Sequence, residues 1–562
     1  MNLLSSFQHI KSATENHFSL ICLKLKEEKL FCFPEVTKQL QGIFKNERLM
    51  EEERFSFITK SFWLLLVFTA LALLAKLVVH LWWRPRKIAK HFSKQGIKGP
   101  PYRFFIGNMK DLVELMTKAA SQPMPLSHNV LPRVLPFYHH WKKIYGATYL
   151  IWFGPNPRLT ISDPALIREI FSTSSELFEK YESHPTVRKL EGNGLISLKG
   201  ETWAHRRKII SPIFHTENLR LMVPIMGKSV AAMLDRWSGL SNSGKVEIEV
   251  SEWFQNLSEE VITRTIFGSS YEDGKEIYKL QAQQIVFAAE SFQKVFVPGY
   301  RFLPTSRNRQ SWRLDGEIER LLTRLIDRRR QAAGDRRRSS EERPRDLLER
   351  LMEEGLRGDE IVEECKSFFF AGKHTTSSLL TWTTVLLAMH PQWQQLARDE
   401  VLRVCGARDI PTKDDVANLK TLGMIVYESL RLYPPTVAMI RRSKNDVELG
   451  RIKIPKGTEI LIPILAVHHD STVWGSDVSE FNPARFTQGI ARTSKHPTAF
   501  MPFGLGARQC IGQNLAVLQV KMTVAMILQR FSFDLSPNYN HAPTISMFLY
   551  PQFNAPVIFH NL

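Results

Sequence analysis

The stretch Pro502-Phe503-Gly504-Leu505-Gly506-Ala507-Arg508-Gln509-Cys510-Ile511-Gly512 decides the fold, because it delivers one cysteine to the start of an apolar-periodic segment, 515–530. Its glycines allow positive φ angles and a close approach of backbone to a flat ligand. A cysteine that lies just before a helix N-terminus is stabilised as a thiolate. The sequence therefore predicts that Cys510 ligates a metal and suits an iron–thiolate bond. A buried structural cysteine beside a glycine-rich turn is the alternative.

Five positions of this loop fit the pattern F-x-x-G-x-R-x-C-x-G, namely Phe503, Gly506, Arg508, Cys510 and Gly512. The pattern resembles the haem-binding signature of the cytochrome P450 family. This resemblance implies haem b as the cofactor, with Cys510 as the iron ligand and with Phe503 and Arg508 among the residues that bind it. It also implies a mainly α (α+β) fold with a large helical domain, a small β-rich region and an N-terminal transmembrane helix.

Composition limits the other possibilities. The chain has 562 residues, of which 43% are hydrophobic, and beyond residue 100 only 332–345 is strongly biased, as one solvated loop, so a single large domain is expected. The five cysteines share no zinc or CxxC spacing, which predicts no disulfide framework and a reducing compartment. A net charge of +19 suits nucleic acid, an anionic membrane or an acidic partner. No nucleic-acid-binding signature accompanies it, and arginine clusters such as 328–330 suggest solvated helix ends.

One apolar stretch is long enough to cross a bilayer. Residues 62–83 are interrupted only by Lys76 and His80 and would form a helix of about 33 Å. Trp82 and Trp83 suit an interfacial belt, and basic residues follow them, whereas acidic residues precede the stretch. The positive-inside rule predicts a single-pass anchor at 61–83 with a cytosolic body, and the resemblance implies the endoplasmic reticulum membrane. A buried core helix is the alternative.

The segments on either side of the anchor are assigned by composition. Residues 1–60 carry nearly balanced charge and no motif, so we expect an unstructured N-terminal extension. Met50 opens MEEERFSF just before the apolar run, and we expect translation to begin there, which makes 1–49 a gene-model extension. The resemblance implies that 84–101 are a basic and proline-containing hinge and that 102–562 are the catalytic domain. Within that domain, 148–153 and 157–162 alternate like strands, and the period is mostly helical from about 164.

Further cations are candidate partners of the haem propionates. Trp203 and Arg207 stand four residues apart on one helical face. The resemblance implies that this pair binds a propionate; a Trp–Arg surface stack is the alternative. Arg441 occupies another propionate-binding position of the family. Arginine suits a carboxylate because its charge is permanent and its donors are forked.

The segment 359–390 has a helical apolar period and contains Ala371-Gly372-Lys373-His374-Thr375-Thr376. A mid-helix glycine costs about 1 kcal/mol relative to alanine, and a threonine hydroxyl bonded to the i−4 carbonyl opens the helix further. The stretch resembles the oxygen-activating motif of the family, which implies a catalytic role for Thr375. His374 replaces the usual acid. We interpret it as a hydrogen-bonded helix histidine rather than a proton donor.

Glu428 and Arg431 stand three residues apart on a helix that is predicted to end before Tyr433. Together with Arg485 in the stretch 481–486, they resemble the E-x-x-R helix of the family and the arginine that completes its triad. The resemblance implies a partly buried network that braces the cysteine loop. An exposed ion pair worth under about 1 kcal/mol is the alternative.

The resemblance implies a haem-thiolate monooxygenase that hydroxylates an unactivated C–H bond with dioxygen and with electrons from NADPH. NADPH–cytochrome P450 reductase is the implied partner. Arg206, Lys208 and Lys521 are candidates for steering it, with plain surface solvation as the alternative.

Three stretches, 82–108, 140–157 and 502–516, resemble the plant group of this family that hydroxylates brassinosteroids at C-26 and inactivates them. Phe- and Met-rich surroundings fit a large steroid but also any apolar ligand. A monooxygenase of another lipophilic substrate (fatty acid, terpenoid or cytokinin) and a membrane haem protein without turnover are the alternatives. The residues expected by position to contact substrate are Val437, Ala438, Met547 and Phe548.

Overall fold

The structure is a computed structural model that describes residues 34–173, 175–241, 243–268, 271–291, 302–336 and 346–562, together with residue 20. The chain divides into two compact units, 1–82 and 83–562.

The N-terminal unit is dominated by one helix, α1 (Pro34–Val78), which continues as a π-helical turn, Val79–Trp83. The range 53–93 holds an 18-residue window of mean hydropathy 2.5, and none of that window is buried. It is the one helix of the described residues with the length and composition to cross a membrane, and it fits a membrane anchor. The helix starts well before the apolar run and so includes residues 34–60, for which the sequence predicts no structure.

The second unit is mainly helical. Its α-helices are α2 (Arg84–Ser93), α3 (Met109–Ser121), α4 (Leu131–Val134), α5 (Pro136–Tyr145), α6 (Pro164–Phe171), α7 (Pro185–Glu191), α8 (Gly200–Ile210), α9 (Thr216–Leu240), α10 (Val250–Thr265), α11 (Tyr271–Ser291), α12 (Ser306–Arg336), α13 (Leu347–Glu353), α14 (Gly358–Met389), α15 (Pro391–Cys405), α16 (Lys413–Asn418), α17 (Lys420–Leu432), α18 (Ile464–His468), α19 (Ser471–Trp474) and α20 (Gln513–Arg530). Short 3₁₀ turns, among them Pro483–Phe486 and Gly506–Arg508, connect the later elements.

The strands form small sheets at the edges of the helical body. They are β1 (Thr148–Phe153), β2 (Asn156–Ile161), β3 (Phe178–Lys180), β4 (Lys245–Glu249), β5 (Met439–Ser443), β6 (Val447–Leu449), β7 (Ile452–Ile454), β8 (Glu459–Ile462), β9 (Phe531–Leu535), β10 (Pro543–Ile545), β11 (Leu549–Pro551) and β12 (Pro556–Asn561). The largest sheet has the order β1-β2-β8-β5-β3, and a second has the order β4-β12-β9. β6 pairs with β7, and β10 pairs with β11. The mainly α (α+β) prediction is confirmed.

Helix α14 runs through the centre of this unit, and most of its 32 residues are buried. Its first turn carries Asp359 and Glu360, where the positive end of the helix dipole favours acidic side chains. Apolar side chains at helical spacing, such as Ile361 and Phe369, are fully buried in the main core. The helix therefore positions its middle turn, 371–376, deep inside the protein.

The structure corrects two local predictions. Helix α12 continues to Arg336, so 332–336 are helical rather than loop, and 337–345 lie outside the described residues. Arg329, predicted to be solvated, is buried and forms an ion pair with Asp346. Separately, the segment predicted as the hinge, 84–101, contains helix α2, whose side chains Ile88 and Phe92 are buried.

Candidate active site

The cysteine loop is shaped by its own backbone. The Cys510 N–H donates to the Phe503 carbonyl at 2.9 Å, and the Gln509 N–H donates to the Gly506 carbonyl at 3.0 Å. Gly506 has a φ of +68°, and a Cβ there would lie 2.5 Å from the Phe171 carbonyl oxygen, so no other residue fits. Helix α20 begins at Gln513, three residues after Cys510. The loop thus holds the cysteine at a helix N-terminus, as the sequence predicts.

The Cys510 side chain keeps accessible surface although protein surrounds it. Surrounding protein raises the pKa of the thiol by burial, while the Gly512 backbone and the charge of Arg207 lower it. The residue nevertheless keeps exposed surface and is not disulfide-bonded. The thiol is therefore accessible to a ligand.

Helix α14 borders accessible space at the same place. Although the helix is buried on most sides, its residues Phe368, Ala371, Gly372 and Thr375 keep partial exposure, and they lie on one helical face. The ring of Phe214 links this face to the cysteine loop: it stacks on Phe368 at 5.9 Å, and a Cβ on Gly512 would lie 3.7 Å from it. The accessible face of α14 and the thiol therefore border the same region.

The middle turn of α14 contains the threonine–carbonyl hydrogen bond that the sequence predicts, within an uninterrupted helix. Thr375 Oγ1 donates to the Ala371 carbonyl at 2.8 Å, which is the i−4 bond. Gly372 has a further reason to lack a side chain, because a Cβ would lie 2.6 Å from Ile262 Cδ1 on α10. The turn can accept a small ligand beside the Thr375 hydroxyl.

His374 is buried and its pKa is lowered to about 3, chiefly by burial and further by the charge of Lys373. Its Nδ1 lies 2.8 Å from the Tyr550 hydroxyl. Lys373 in turn forms an ion pair with Glu259. His374 is therefore a neutral, hydrogen-bonded histidine and is poorly suited to donate a proton at neutral pH.

Four cations gather beside the cysteine loop. Arg207 Nη1 donates to the Gln509 carbonyl at 2.7 Å, and Arg508 Nη2 donates to the Leu198 carbonyl at 2.6 Å. Burial and the charge of Arg508 lower the pKa of Arg441 to about 10, and burial and Arg207 lower that of Arg508 to about 10. Lys180, which sequence reasoning missed, lies opposite Arg441 in the β3–β5 pairing. Like charges placed directly opposite each other across two strands repel.

This cluster fits the two carboxylates of haem. Among the described residues, its arginines make no ion pair with a carboxylate, and Lys180 has only Glu191, at 3.7 Å. Repulsion and burial both disfavour four such charges unless an anion joins them. These cations and the accessible Cys510 thiol fit a flat ligand that carries two propionates and a metal.

Trp203 sits beside the cations in an unexpected pairing. Its ring lies 4.3 Å from the Arg508 guanidinium, so the stack is with Arg508 of the cysteine loop rather than with Arg207 on its own helix. A cation–π contact of this kind holds the guanidinium in place. Helix spacing alone could not have identified this partner.

The Glu428–Arg431 pair is fully buried. Arg431 Nε and Nη2 each donate to the Glu428 carboxylate at 2.7 Å, and neither side chain is exposed. Arg485 Nε lies 3.7 Å from the same carboxylate, and its Nη2 donates to Asp477 at 2.7 Å. The three predicted residues are brought together, and the exposed-pair alternative is wrong.

His468 connects this network to the cysteine loop and was missed by sequence reasoning. Its Nδ1 lies 3.2 Å from the Arg431 carbonyl, and its Nε2 accepts from the Met501 N–H at 3.1 Å. The ring also stacks on Phe500 at 5.5 Å. The neighbouring Met501 carbonyl accepts from Gly504 N–H within the loop. No sequence signal points to this histidine, because its partners come from two segments that are distant from it in the chain.

The predicted substrate residues divide between two places. Met547 and Phe548 pack against a small apolar cluster that is separate from the main core, the satellite cluster. Val437 and Ala438 belong to the main core, beside the segment where the Leu549 N–H donates to the Pro435 carbonyl at 3.0 Å. The segments that carry these two residue pairs, 437–438 and 547–548, are therefore neighbours. The satellite cluster consists of Val187, Leu190, Ala288 and Phe370, with Ile196, Ile285, Met547 and Phe548 packed against it.

Two of the three cations suggested for partner docking are not on the surface. Arg206 is buried and ion-paired with Glu364 at 3.0 Å, and Lys521 is also buried, with its pKa lowered to about 8 by burial. Only Lys208 is exposed. The prediction for Arg206 and Lys521 is wrong because each helix turns that side toward the core.

Comparison with known proteins gives consistent matches. The model of the family described as cytochrome P450 matches residues 129–557. The chain is 62% identical over 517 residues to cytochrome P450 734A1 of Arabidopsis thaliana, which covers 91% of this chain and 99% of that protein. It is 56% identical to cytochrome P450 734A6 of Oryza sativa subsp. japonica, covering 86% of this chain and 93% of that protein. It is 43% identical to cytochrome P450 CYP72A616 of Paris polyphylla, covering 86% and 95%.

Proposed function

Since this chain belongs to the cytochrome P450 family and is a haem-thiolate monooxygenase, we propose that it hydroxylates brassinosteroids at C-26 and thereby inactivates them. The observation that carries the proposal is the satellite cluster beside the Thr375 turn, an apolar cluster against which His374, hydrogen-bonded to Tyr550, is packed. Such a cluster suits a large, mostly apolar molecule with few hydroxyls. The resemblance of three sequence stretches to the brassinosteroid-hydroxylating group supports the same substrate.

Each site residue has a role in holding the cofactor. Cys510 would supply the thiolate that holds the haem iron, and Phe503 would help to hold the cofactor beside it. Arg207, Arg441 and Arg508 would neutralise the propionates, with Trp203 and Lys180 at the same cluster. When bound, the haem supplies the activation of dioxygen and the oxidation of a C–H bond.

Thr375 is the residue we assign to proton handling. Its hydroxyl hydrogen is held by the Ala371 carbonyl, which leaves the oxygen lone pairs free to accept a hydrogen bond from water or a bound ligand. His374 stays neutral and contributes no acidic proton at this turn. Protons would therefore reach the site by way of Thr375 and ordered water rather than from an adjacent side-chain acid.

The electrons come from a reductase. We propose that NADPH–cytochrome P450 reductase is this partner and that the endoplasmic reticulum membrane is the location. The apolar stretch at 61–83, within the range 53–93, would form the anchor, with the body in the cytosol. Lys208 is exposed next to Arg207 and is the remaining candidate of the three for electrostatic steering.

Reconstitution of the full chain with reductase, NADPH and a brassinosteroid panel, followed by mass spectrometry, tests this function. Conversion of castasterone or brassinolide to a C-26 alcohol is expected. Oxidation of fatty acids, terpenoids or cytokinins alone would replace the substrate assignment. NADPH consumption without any hydroxylated product would point instead to a ligand-binding haem protein.

A further inference from the structure

A polar pair lies within the apolar surroundings of the satellite cluster. The His374 ring stacks on Phe548 with centroids 5.8 Å apart and an interplanar angle of 12°. Phe370 lies 6.0 Å from the same ring, and the Tyr550 hydroxyl lies 2.8 Å from His374 Nδ1. Polar groups in such a place cost free energy unless their hydrogen bonds are completed.

The direction of the His374–Tyr550 hydrogen bond follows from the partners at hand. The Tyr550 hydroxyl carries one hydrogen, and His374 Nδ1 is the one acceptor that it meets among the described residues. We assign the hydroxyl as the donor to Nδ1, because this direction gives the hydroxyl hydrogen an acceptor. Because the imidazole is neutral, its single proton is on Nε2. Nε2–H is thus a donor that Tyr550 holds in place.

This donor lacks an acceptor within the described part of the chain. The Nε2 atom keeps accessible surface, although the His374 residue as a whole is only 7% exposed. The next residue, Thr375, keeps partial exposure on the accessible face of α14. The Nε2–H group therefore keeps accessible surface one residue away from Thr375 of the reacting turn.

We propose that His374 donates a hydrogen bond from Nε2 to a hydroxyl oxygen of the lipid substrate. This inference rests on the proposed function and specifies how its substrate is recognised. Because His374 directly precedes Thr375, the hydroxyl that it meets lies near the end of the substrate that is oxidised. Brassinosteroids carry side-chain hydroxyls within a few bonds of C-26. A site built to pair with a hydroxyl rejects the analogue that lacks it, since its own polar group would be left unpaired.

The test uses the haem-loaded enzyme and two steroids that differ only in the side-chain hydroxyls. Dissociation constants come from spectral titration and, independently, from the ligand-induced shift in Tm. Wild type should bind the hydroxylated steroid about 10- to 100-fold more tightly than its deoxy analogue. His374→Phe keeps the ring stack and should remove this preference. Equal weakening for both steroids, or an unchanged ratio, would overturn the proposal.

Two amide variants give a matched comparison. The amide of His374→Gln reaches the position of Nε2 and should retain most of the preference, whereas the amide of His374→Asn reaches only the position of Nδ1 and should lose it. Identical behaviour of the two would contradict the assignment. If His374→Phe fails to take up haem, Tyr550→Phe serves instead, because it removes only the group that fixes the tautomer; the ratio should fall several-fold, and an unchanged ratio would count against the proposal.

The ratio of dissociation constants between the ligand without the hydroxyl and the hydroxylated ligand is also measured for a twelve-carbon fatty acid and its mid-chain hydroxy derivative. If no brassinosteroid is oxidised but the hydroxyl preference persists and depends on His374, the proposed function fails and this inference stands. If brassinosteroid is oxidised and wild type shows no preference in either pair, the function stands and this inference is overturned.

Discussion

Replacing Glu428 by glutamine should destabilise the protein far more than an ion pair at this spacing usually would. Glu428 and Arg431 are both fully buried, and the substitution keeps the shape of the side chain while removing its charge. Arg431 would retain only neutral partners, the carbonyls of His468, Val478 and Glu480. Breaking a buried pair by removing one partner costs about 3–5 kcal/mol. We expect a loss of at least about 3 kcal/mol, which is roughly a 150-fold change in the folding equilibrium.

The chain offers a matched control for this experiment. Glu317 and Arg320 have the same i, i+3 spacing and the same 2.7 Å contact, but their side chains are 42% and 47% exposed. Glu317→Gln should cost no more than about 0.5 kcal/mol. Urea unfolding of both variants, followed by CD and by haem content, measures the difference. A gap of less than about 1 kcal/mol between the two variants would refute the argument that burial makes Glu428 a structural brace.

Three further outcomes are expected. Cys510→Ala should abolish the thiolate-type Soret shift with carbon monoxide, and persistence of that shift would remove the ligand assignment. Thr375→Ala should uncouple NADPH consumption from product, whereas Thr375→Ser, which keeps the hydroxyl, should preserve coupling; equal coupling in both would count against a role for the hydroxyl. Burial lowers the pKa of His468 to about 3 from a usual 6.5, so its neutral form supports stability above pH 6.5, and this support is lost as the pH falls toward 3. Between pH 7.5 and 5.5 the free energy of unfolding should fall by about 1.4 kcal/mol because of this histidine. Urea unfolding of His468→Gln should show a fall over the same pH range that is smaller by that amount than in the wild type, and an equal fall in both proteins would contradict the assignment.

The local parts of the site could be read from the sequence because neighbouring residues determine them. The predicted strand at 148–153 and the helix over 359–390 match β1 and α14 to within one residue. Thr375 bonds the carbonyl four residues back, and Cys510 precedes a helix, as their spacing alone predicts. These features depend on turns and on helical periodicity, which act over a few residues.

The long-range parts of the site were decided only by tertiary structure. Lys180 meets Arg441 across two strands, Trp203 stacks on Arg508, and His468 joins Arg431 to the cysteine loop. His374 meets a tyrosine 176 positions away. Periodicity assigns a residue to a helix face but not to the element that covers that face, which is why Arg206 was expected at the surface and is buried. The chemistry of the site follows from short-range pattern, whereas its charge pairing and its selectivity follow from which distant segments pack together.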